Sequence, residues 1–265
     1  MVVEIGKIIK NEKLSETLFD LHFYAPKVAK EALPGQILQV KCGDKVTLRR
    51  PISICDADAK TGILRICFDV RGEGTKYLSE RKAGDEIDVL GPLGKGYEIQ
   101  KLGDRVLLAG GGIGTFPLFF TANQLKEKGI LPDVVLAFRS AELVNMKEEF
   151  EFLGCRVFIS TDDGSQGFCG YACNLVETLL QENIYSSVCL CGPLPMMKTT
   201  APLAIAHGIP CYASLEERMG CGVGACLACV CSIKDESENG FHHERVCADG
   251  PVFDAKTVKW EDCGK

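Results

Sequence analysis

The sequence has no hydrophobic run long enough to cross a bilayer. Its longest apolar stretch, Val106 to Phe120, is broken by four glycines and is too short for a membrane span. The first ten residues, Met1-Val-Val-Glu-Ile-Gly-Lys-Ile-Ile-Lys, carry charge every few positions and lack the apolar core of a secretory signal. A basic excess is also missing. Lys and Arg number 30 against 36 Asp and Glu, a net charge of −6, which argues against a nucleic-acid partner. The chain has one Trp and shows no internal repeat and no low-complexity linker. What is left is an ordinary globular composition, 46% hydrophobic and 25% charged. The length allows one large domain or two to three small ones. These features together lead us to expect a cytoplasmic protein.

Cysteine is what the chain has in excess: there are 15. Without secretion, such a number points to reduced thiols or metal ligands rather than disulfides. Four of them form a pattern, Cys221-Gly-Val-Gly-Ala-Cys226-Leu-Ala-Cys229, with Cys247 further on. Four thiolates at the spacing C-x4-C-x2-C…C can hold a [2Fe–2S] cluster of the plant-ferredoxin kind. Gly222, Gly224 and Ala225 would let the loop wrap tightly, with N–H groups turned toward the cluster's sulfides. A structural zinc site is the alternative. Zinc favours paired C-x2-C knuckles, and here the second knuckle is missing. Cys231, two residues past Cys229, would point to the other face of a strand and is the second choice for the fourth ligand. Cysteines such as Cys42, Cys67, Cys155 and Cys189 sit in apolar or strand-like settings and read as small buried hydrophobes. His242 and His243 lie in a polar stretch and read as solvated.

The chain changes character twice. Residues 1 to about 100 read as a β-barrel or sandwich, with short strand-like runs at 36–41, 64–70 and 86–90 punctuated by Pro-Gly, Gly-Asp and Gly-Pro. One short helix is expected over 75–81, with Thr75 as its N-cap. From 101 to about 208, strands (105–108, 133–138, 156–160, 187–190) alternate with helical stretches (to about 128, 146–153, 173–181, to about 207), the pattern of a parallel α/β sheet. From 209 to 265 the Cys- and Gly-rich loop is followed by a strand candidate at 229–233 and a polar turn. We therefore expect three domains, 1–100, 101–208 and 209–265: a β-barrel, a nucleotide-binding α/β domain and a small cluster domain.

Three further motifs bear on chemistry. Gly110, Gly111, Gly112 and Gly114 follow a strand and precede a helix, so N–H groups and a helix N-terminus could meet a pyrophosphate. The match to G-x-G-x-x-G is imperfect, because Pro117 stands where the third glycine belongs, and a tight strand-to-helix turn would also explain it. Cys191-Gly192-Pro193 closes another strand at the same sheet edge, where parallel α/β sheets bind ligands. By itself a Gly-Pro is only a turn. Arg50-Pro51-Ile52-Ser53 offers an arginine for a phosphate and a serine hydroxyl for a flavin nitrogen. By themselves these four residues read better as an ordinary strand with a surface arginine.

Taken in order and spacing, Arg50-x-x-Ser53, Arg71-Gly-Glu-Gly-Thr75, Gly91-Pro-Leu-Gly94, the glycine loop and Cys191-Gly-Pro resemble the ferredoxin reductase flavoprotein family over about residues 1–208. Met219-Gly-Cys-Gly-Val-Gly-Ala-Cys-Leu-Ala-Cys-Val-Cys, with Val246-Cys-Ala-Asp-Gly-Pro-Val-Phe, narrows the likeness. Over essentially the whole chain it resembles the electron-transfer subunits of NAD-dependent, class 1B dihydroorotate dehydrogenases. The resemblance implies that Arg50, Pro51, Ile52 and Ser53 contact FAD, with Arg50 on its phosphate and Ser53 near the flavin N5. It implies that Cys67, Phe68 and Asp69 run beside the FAD, largely by backbone, and that Gly74 and Thr75 meet its pyrophosphate. Cys221, Cys226, Cys229 and Cys247 would ligate the cluster. The wider family often has an aromatic where Ile52 stands, so flavin stacking on that side chain is lost here.

The glycine loop, Cys191 and Gly192 would then serve NAD(H). Asp162, in Ser160-Thr161-Asp162-Asp163, would bond the ribose hydroxyls and repel a 2′-phosphate, which favours NAD(H); a turn with solvated acids is the other reading. The implied activity is oxidoreductase electron transfer. NAD(H) exchanges a two-electron hydride, a cluster passes single electrons, and FAD can do both and so stands between them. The implied partner is an FMN-containing subunit that oxidises dihydroorotate to orotate in pyrimidine (UMP) biosynthesis, joined in a heterotetramer with two copies of each chain. No residue here need touch dihydroorotate. Rival readings are a related subunit of the sulfide dehydrogenase or ferredoxin-dependent transhydrogenase kind, and a zinc-containing binding module.

Overall fold

The computed structural model describes residues 1–264. These divide into two compact units, one of residues 1–96, 217–230 and 245–251, the other of residues 97–216, 231–244 and 252 onward. Residues beyond 208 are thus shared between the units.

The first unit is built on six strands, β1 (Val2–Lys13), β2 (Leu18–Tyr24), β3 (Ile37–Val40), β4 (Arg50–Asp58), β5 (Ile63–Asp69) and β6 (Glu86–Leu93). They form a closed barrel in the order β1-β2-β5-β4-β3-β6, antiparallel at each step. Closure leaves no free sheet edge. Leu21, Phe23, Leu38, Val40, Ile54, Leu64, Ile66 and Val89 fill the interior. A charged group lies on the other face of β2 and β5. Asp20 on β2 accepts from Arg65 Nε on β5 at 2.9 Å and pairs with His22 at 3.1 Å, and all three are largely buried. Pairing makes a buried carboxylate tolerable.

Two short helices flank the barrel, α1 (Pro26–Glu31) and α2 (Glu73–Ser79). The sequence reading missed α1, whose first residue is a proline already set at a helical φ. The second helix starts two residues before the expected 75–81, with Gly72 as N-cap. Gly72 has no side chain to cap with. Thr75, the third helical residue, reaches back instead, and its hydroxyl accepts from the N–H of Arg71 at 2.9 Å and of Gly72 at 3.4 Å.

The second unit is an α/β layer structure. Its strands are β7 (Val106–Gly111), β8 (Asp133–Phe138), β9 (Arg156–Thr161), β10 (Phe168–Cys169), β11 (Ser187–Cys191) and β12 (Cys211–Ser214). They are parallel in the order β10-β9-β8-β7-β11-β12. Helices α3 (Thr115–Glu127), α4 (Lys147–Leu153), α5 (Ala172–Glu182) and α6 (Leu194–Ala206) pack as two pairs, α3 with α4 and α5 with α6. Strands covered in this way read as continuous apolar runs, and β7 and β11 are buried along their whole length. Strands β13 (Val230–Lys234) and β14 (Phe241–Arg245) form a two-stranded sheet, and β15 (Val252–Asp254) adds an antiparallel edge beside β12. Among the described residues no helix is long and apolar enough to cross a membrane.

Candidate functional site

The cysteine loop is shaped by its glycines. Gly222 and Gly224 both adopt left-handed backbone, with φ of +73° and +78°, which side-chain-bearing residues rarely accept. The resulting turns aim N–H groups at sulfur. Cys221 Sγ accepts from Val223, Ala225 and Cys226 at 3.3–3.4 Å. Cys226 Sγ accepts from the N–H of Cys221 at 3.4 Å, and Cys247 Sγ from that of Gly224 at 3.2 Å. The Cys229 carbonyl takes the N–H of Val246 at 2.9 Å, which ties the Cys247 segment to the loop.

The electrostatics follow. The Val223 N–H bond outweighs desolvation and, with the other two, lowers the Cys221 thiol to about 6. Burial, and then the bond with Cys229, pushes the Cys247 thiol up to about 12. The thiols fall into two pairs: Cys221 and Cys226 each accept the other's backbone N–H at sulfur, and Cys229 lies close enough to Cys247 to raise its thiol. Among the described residues no group of three or more His, Cys, Asp or Glu side chains is placed to hold a single metal ion. Two neighbouring pairs instead suit a two-iron cluster, which takes two thiolates at each iron. The donor set and its N–H groups fit such a cluster. All four cysteines belong to the first unit, whereas Cys231, on β13, belongs to the second.

Two features of this region escaped the sequence reading. Leu227 holds φ +58° with its side chain 62% exposed, an uncommon state for a bulky residue. Gln39, on β3, is wholly buried under the loop. A β-carbon on Gly222 would stand 2.9 Å from Gln39 Nε2, and Gln39 Oε1 has no hydrogen-bond partner among the described residues. Neither carries a sequence signal, because a glutamine in a strand is commonplace.

Arg50, Pro51, Ile52 and Ser53 open β4 and pair with Val40, Gln39, Leu38 and Ile37 of β3. Ile52 is buried in the barrel, while Pro51 is exposed. Cys67, Phe68 and Asp69 end β5. Cys67 lies beside Asp20, 3.6 Å from Oδ1, and burial pushes its thiol up, so it is no nucleophile. Phe68 stacks on Phe19 with centroids 5.7 Å apart. Asp69 accepts from Thr17 and Arg71, each at 3.4 Å. The fold brings Arg50 against Gly74 in the first turn of α2: a β-carbon on Gly74 would fill the cradle, 2.9 Å from Arg50 Nε. Arginine and the N–H groups of a first helical turn together suit a phosphate.

In the second unit, Gly110 and Gly111 are the last residues of β7, and 112–114 form a 3-10 turn into α3. Gly110 and Gly114 are required by packing against backbone, whereas Gly111 faces the flexible end of Met196. A β-carbon on Gly110 would stand 2.9 Å from Thr115 Cα, one on Gly111 2.5 Å from Met196 Sδ, and one on Gly114 2.5 Å from Gly192 Cα. Only Gly112, at φ +52°, faces open space. The glycine loop and the Cys191-Gly192-Pro193 turn thus interlock at the carboxyl ends of neighbouring strands, Cys191 opposite Gly110. Burial, then the nearby Glu216 carboxylate, pushes the Cys191 thiol up to about 12. Asp162 follows β9 and is exposed. Asp163 is occupied within the turn, where it accepts from Ser165 N at 3.0 Å and Oγ at 2.6 Å. Arg139, which the sequence reading passed over, accepts the Asp163 N–H at its carbonyl.

Comparison with known proteins adds what geometry leaves open. Residues 216–259 match the iron–sulfur cluster binding domain of dihydroorotate dehydrogenase B. The electron transfer subunit of dihydroorotate dehydrogenase B (NAD(+)) from Fusobacterium nucleatum is 38% identical over 98% of this chain and 100% of its own length. The corresponding subunit from Bacillus pumilus is 40% identical over 95% of this chain and 96% of its own. Among solved structures, an NADH-dependent reduced ferredoxin-NADP oxidoreductase, described for flavin-based electron bifurcation, superposes with a TM-score of 0.86 at 33% identity. It covers 97% of this chain and 90% of its own.

Proposed function

The chain belongs to the family of electron transfer subunits of NAD(+)-dependent dihydroorotate dehydrogenase B, and on that premise we propose that it links dihydroorotate oxidation to NAD(H) in pyrimidine (UMP) synthesis. The oxidation itself belongs to a separate FMN-containing catalytic subunit, with which this chain forms a heterotetramer of two copies each. The observation that carries the reading is the set Cys221, Cys226, Cys229 and Cys247, with N–H groups aimed at its sulfurs.

When bound, a [2Fe–2S] cluster supplies single-electron storage and FAD the exchange between single electrons and the hydride of NAD(H). The chain's own residues bind and orient. Arg50 with Gly74 and Thr75 would hold the phosphates of FAD. Ser53 would line the flavin ring, and Pro51, Ile52, Cys67, Phe68 and Asp69 would offer backbone alongside. Gly112 gives the open approach for the NAD(H) pyrophosphate, Cys191 and Gly192 line the same strand ends, and Asp162 would meet the ribose. No side chain is assigned to act on dihydroorotate. The division 1–100, 101–208 and 209–265 describes these three tasks. We place the chain in the cytoplasm, a reading supported by its 15 free thiols.

A second reading, a ferredoxin-dependent transhydrogenase subunit, is favoured by the 33% identical oxidoreductase. Asp162 speaks for NAD(H) over a 2′-phosphorylated nucleotide. Reconstitution decides between them. The purified chain, loaded with FAD and iron–sulfur, is mixed with the FMN-containing catalytic subunit. NAD+-linked oxidation of dihydroorotate is expected. A loaded chain that restores none overturns the proposal.

A further inference from the structure

Arg245 ends β14 two residues before Cys247. Its Nε donates to Asp249 Oδ2 at 2.7 Å and its Nη2 to Asp249 Oδ1 at 3.0 Å, a bidentate pair. Asp249 Oδ2 also accepts the Arg245 backbone N–H at 2.9 Å. The Arg245 carbonyl in turn accepts from the N–H groups of Ala248, Asp249 and Gly250. Backbone bonds therefore fix both partners, and the guanidinium has one direction. Its remaining arm reaches a different segment: Nη1 donates to the carbonyl of Gly224 at 3.1 Å. Gly224 is the residue whose N–H bonds Cys247 Sγ at 3.2 Å. One residue of the loop is gripped at its oxygen by Arg245 and gives its nitrogen to Cys247. Glycine suits this position by its φ of +78°, and a β-carbon at 224 would crowd Arg245 Nη1 at 3.1 Å.

An exposed ion pair is ordinarily worth little, and closing the 245–249 turn needs only the bond to Asp249. The bond to Gly224 adds a link between the two segments that carry the cysteines, and it brings a permanent charge with it. Arginine stays protonated at any working pH. The Cys247 and Cys229 thiols lie close enough to interact with that charge.

We propose that Arg245 is a positioning residue for the iron–sulfur cluster, holding the Gly224 N–H on Cys247 and raising the cluster's reduction potential by its charge beside the Cys229–Cys247 pair. The inference rests on the four cysteines being the cluster's ligands. A reduced cluster carries one more negative charge than an oxidised one. A fixed cation and an N–H···S bond therefore stabilise the reduced form more, and net charge and hydrogen bonds to sulfur are what set such potentials.

The test is a redox titration of the FAD-loaded chain, followed by the electron paramagnetic resonance signal of its reduced cluster. In Arg245→Met, which keeps the stem and removes the charge, the ratio of reduced to oxidised cluster at a fixed poise should fall about tenfold, or about 59 mV for a one-electron couple. Arg245→Lys should restore most of that ratio. Asp249→Asn keeps the arginine and loosens its aim, but it also removes an anion, which favours the reduced form, so its readout is an altered signal shape. FAD content should not change in any of them. If Arg245→Met loses its cluster while Arg245→Lys keeps it, the charge is needed at this position and the proposal stands. If both lose it, Asp249→Asn decides, and a wild-type signal shape there overturns the proposal. An Arg245→Met cluster at wild-type potential also overturns it, and leaves the cluster reading untouched. A wild-type chain that takes up no iron on reconstitution sinks the cluster reading first, and the role of Arg245 with it.

Discussion

Arg50 rests on the bare backbone of Gly74, so close that a β-carbon there would stand 2.9 Å from the guanidinium Nε. Arg50 Nη1 is held at the same time by the carbonyl of Leu48 at 2.7 Å. Gly74→Ala should push the arginine aside without removing it. FAD affinity is expected to fall about tenfold, near 1.4 kcal/mol, the scale of one charge-assisted contact. Equilibrium dialysis of FAD against the apo-flavoprotein measures it. Unchanged affinity would separate Arg50 from the flavin phosphates.

The contact of Gly114 with the Cys191-Gly192 turn is backbone against backbone, which cannot swing away. Gly114→Ala should cost about 1–3 kcal/mol of stability, the range for overpacking a close approach. It should weaken NAD(H) binding as well. Gly112→Ala meets no steric barrier but must hold φ +52°, so its cost should be about 1 kcal/mol. Thermal unfolding of the two variants side by side checks the order.

Asp20 supplies a pH dependence. Burial opposes its ionisation, but the hydrogen bonds from His22 and Arg65 outweigh burial and hold the carboxyl at about 2, below the ordinary 3.8. A carboxyl lowered in the folded state contributes stability above its unfolded value and loses it as pH falls through the folded one. The contribution should be about 2 kcal/mol, full above about pH 4 and gone near pH 2. Asp20→Asn should thus be less stable than wild type at pH 7, with the gap narrowing over that interval. Urea unfolding at stepped pH reads it directly.

For the fourth ligand, Cys247→Ser should lose the cluster's visible absorption and its iron, whereas Cys231→Ser should keep both. Cys247 lies beside Cys229 and accepts the Gly224 N–H, and Cys231 belongs to the other unit. The reverse result would move the fourth ligand to β13.

For nucleotide choice, Asp162→Asn should raise NADPH use relative to NADH by roughly tenfold, since it removes a repulsion rather than adding a contact. Steady-state rates of dye reduction with each nucleotide give the ratio. A fixed ratio would make Asp162 part of the turn and nothing more.

Much of this was legible in the chain because it is local. The strand at Asp133–Phe138 and the helices after it are set by the period of the apolar residues, and the observed strand has the expected bounds. The cysteine spacing and the glycines between were enough to suggest a wrapped thiolate loop, and Gly222 and Gly224 do adopt left-handed backbone. Boundaries fared less well where a cap is shared. Thr75 signals a helix start correctly, but acts from inside the helix because Gly72 cannot cap for itself.

By itself, then, the sequence determined the alternation of strand and helix, the thiol set and the turns its glycines permit, since each depends on neighbours a few residues apart. Tertiary structure alone decided how the thiols pair, that Gly114 serves the Cys191 turn, that Asp20 meets Arg65 across two strands, and that Arg245 grips Gly224. The last three join positions 20 or more residues apart. Their bond energies belong to a geometry that exists only once the barrel and the sheet have closed.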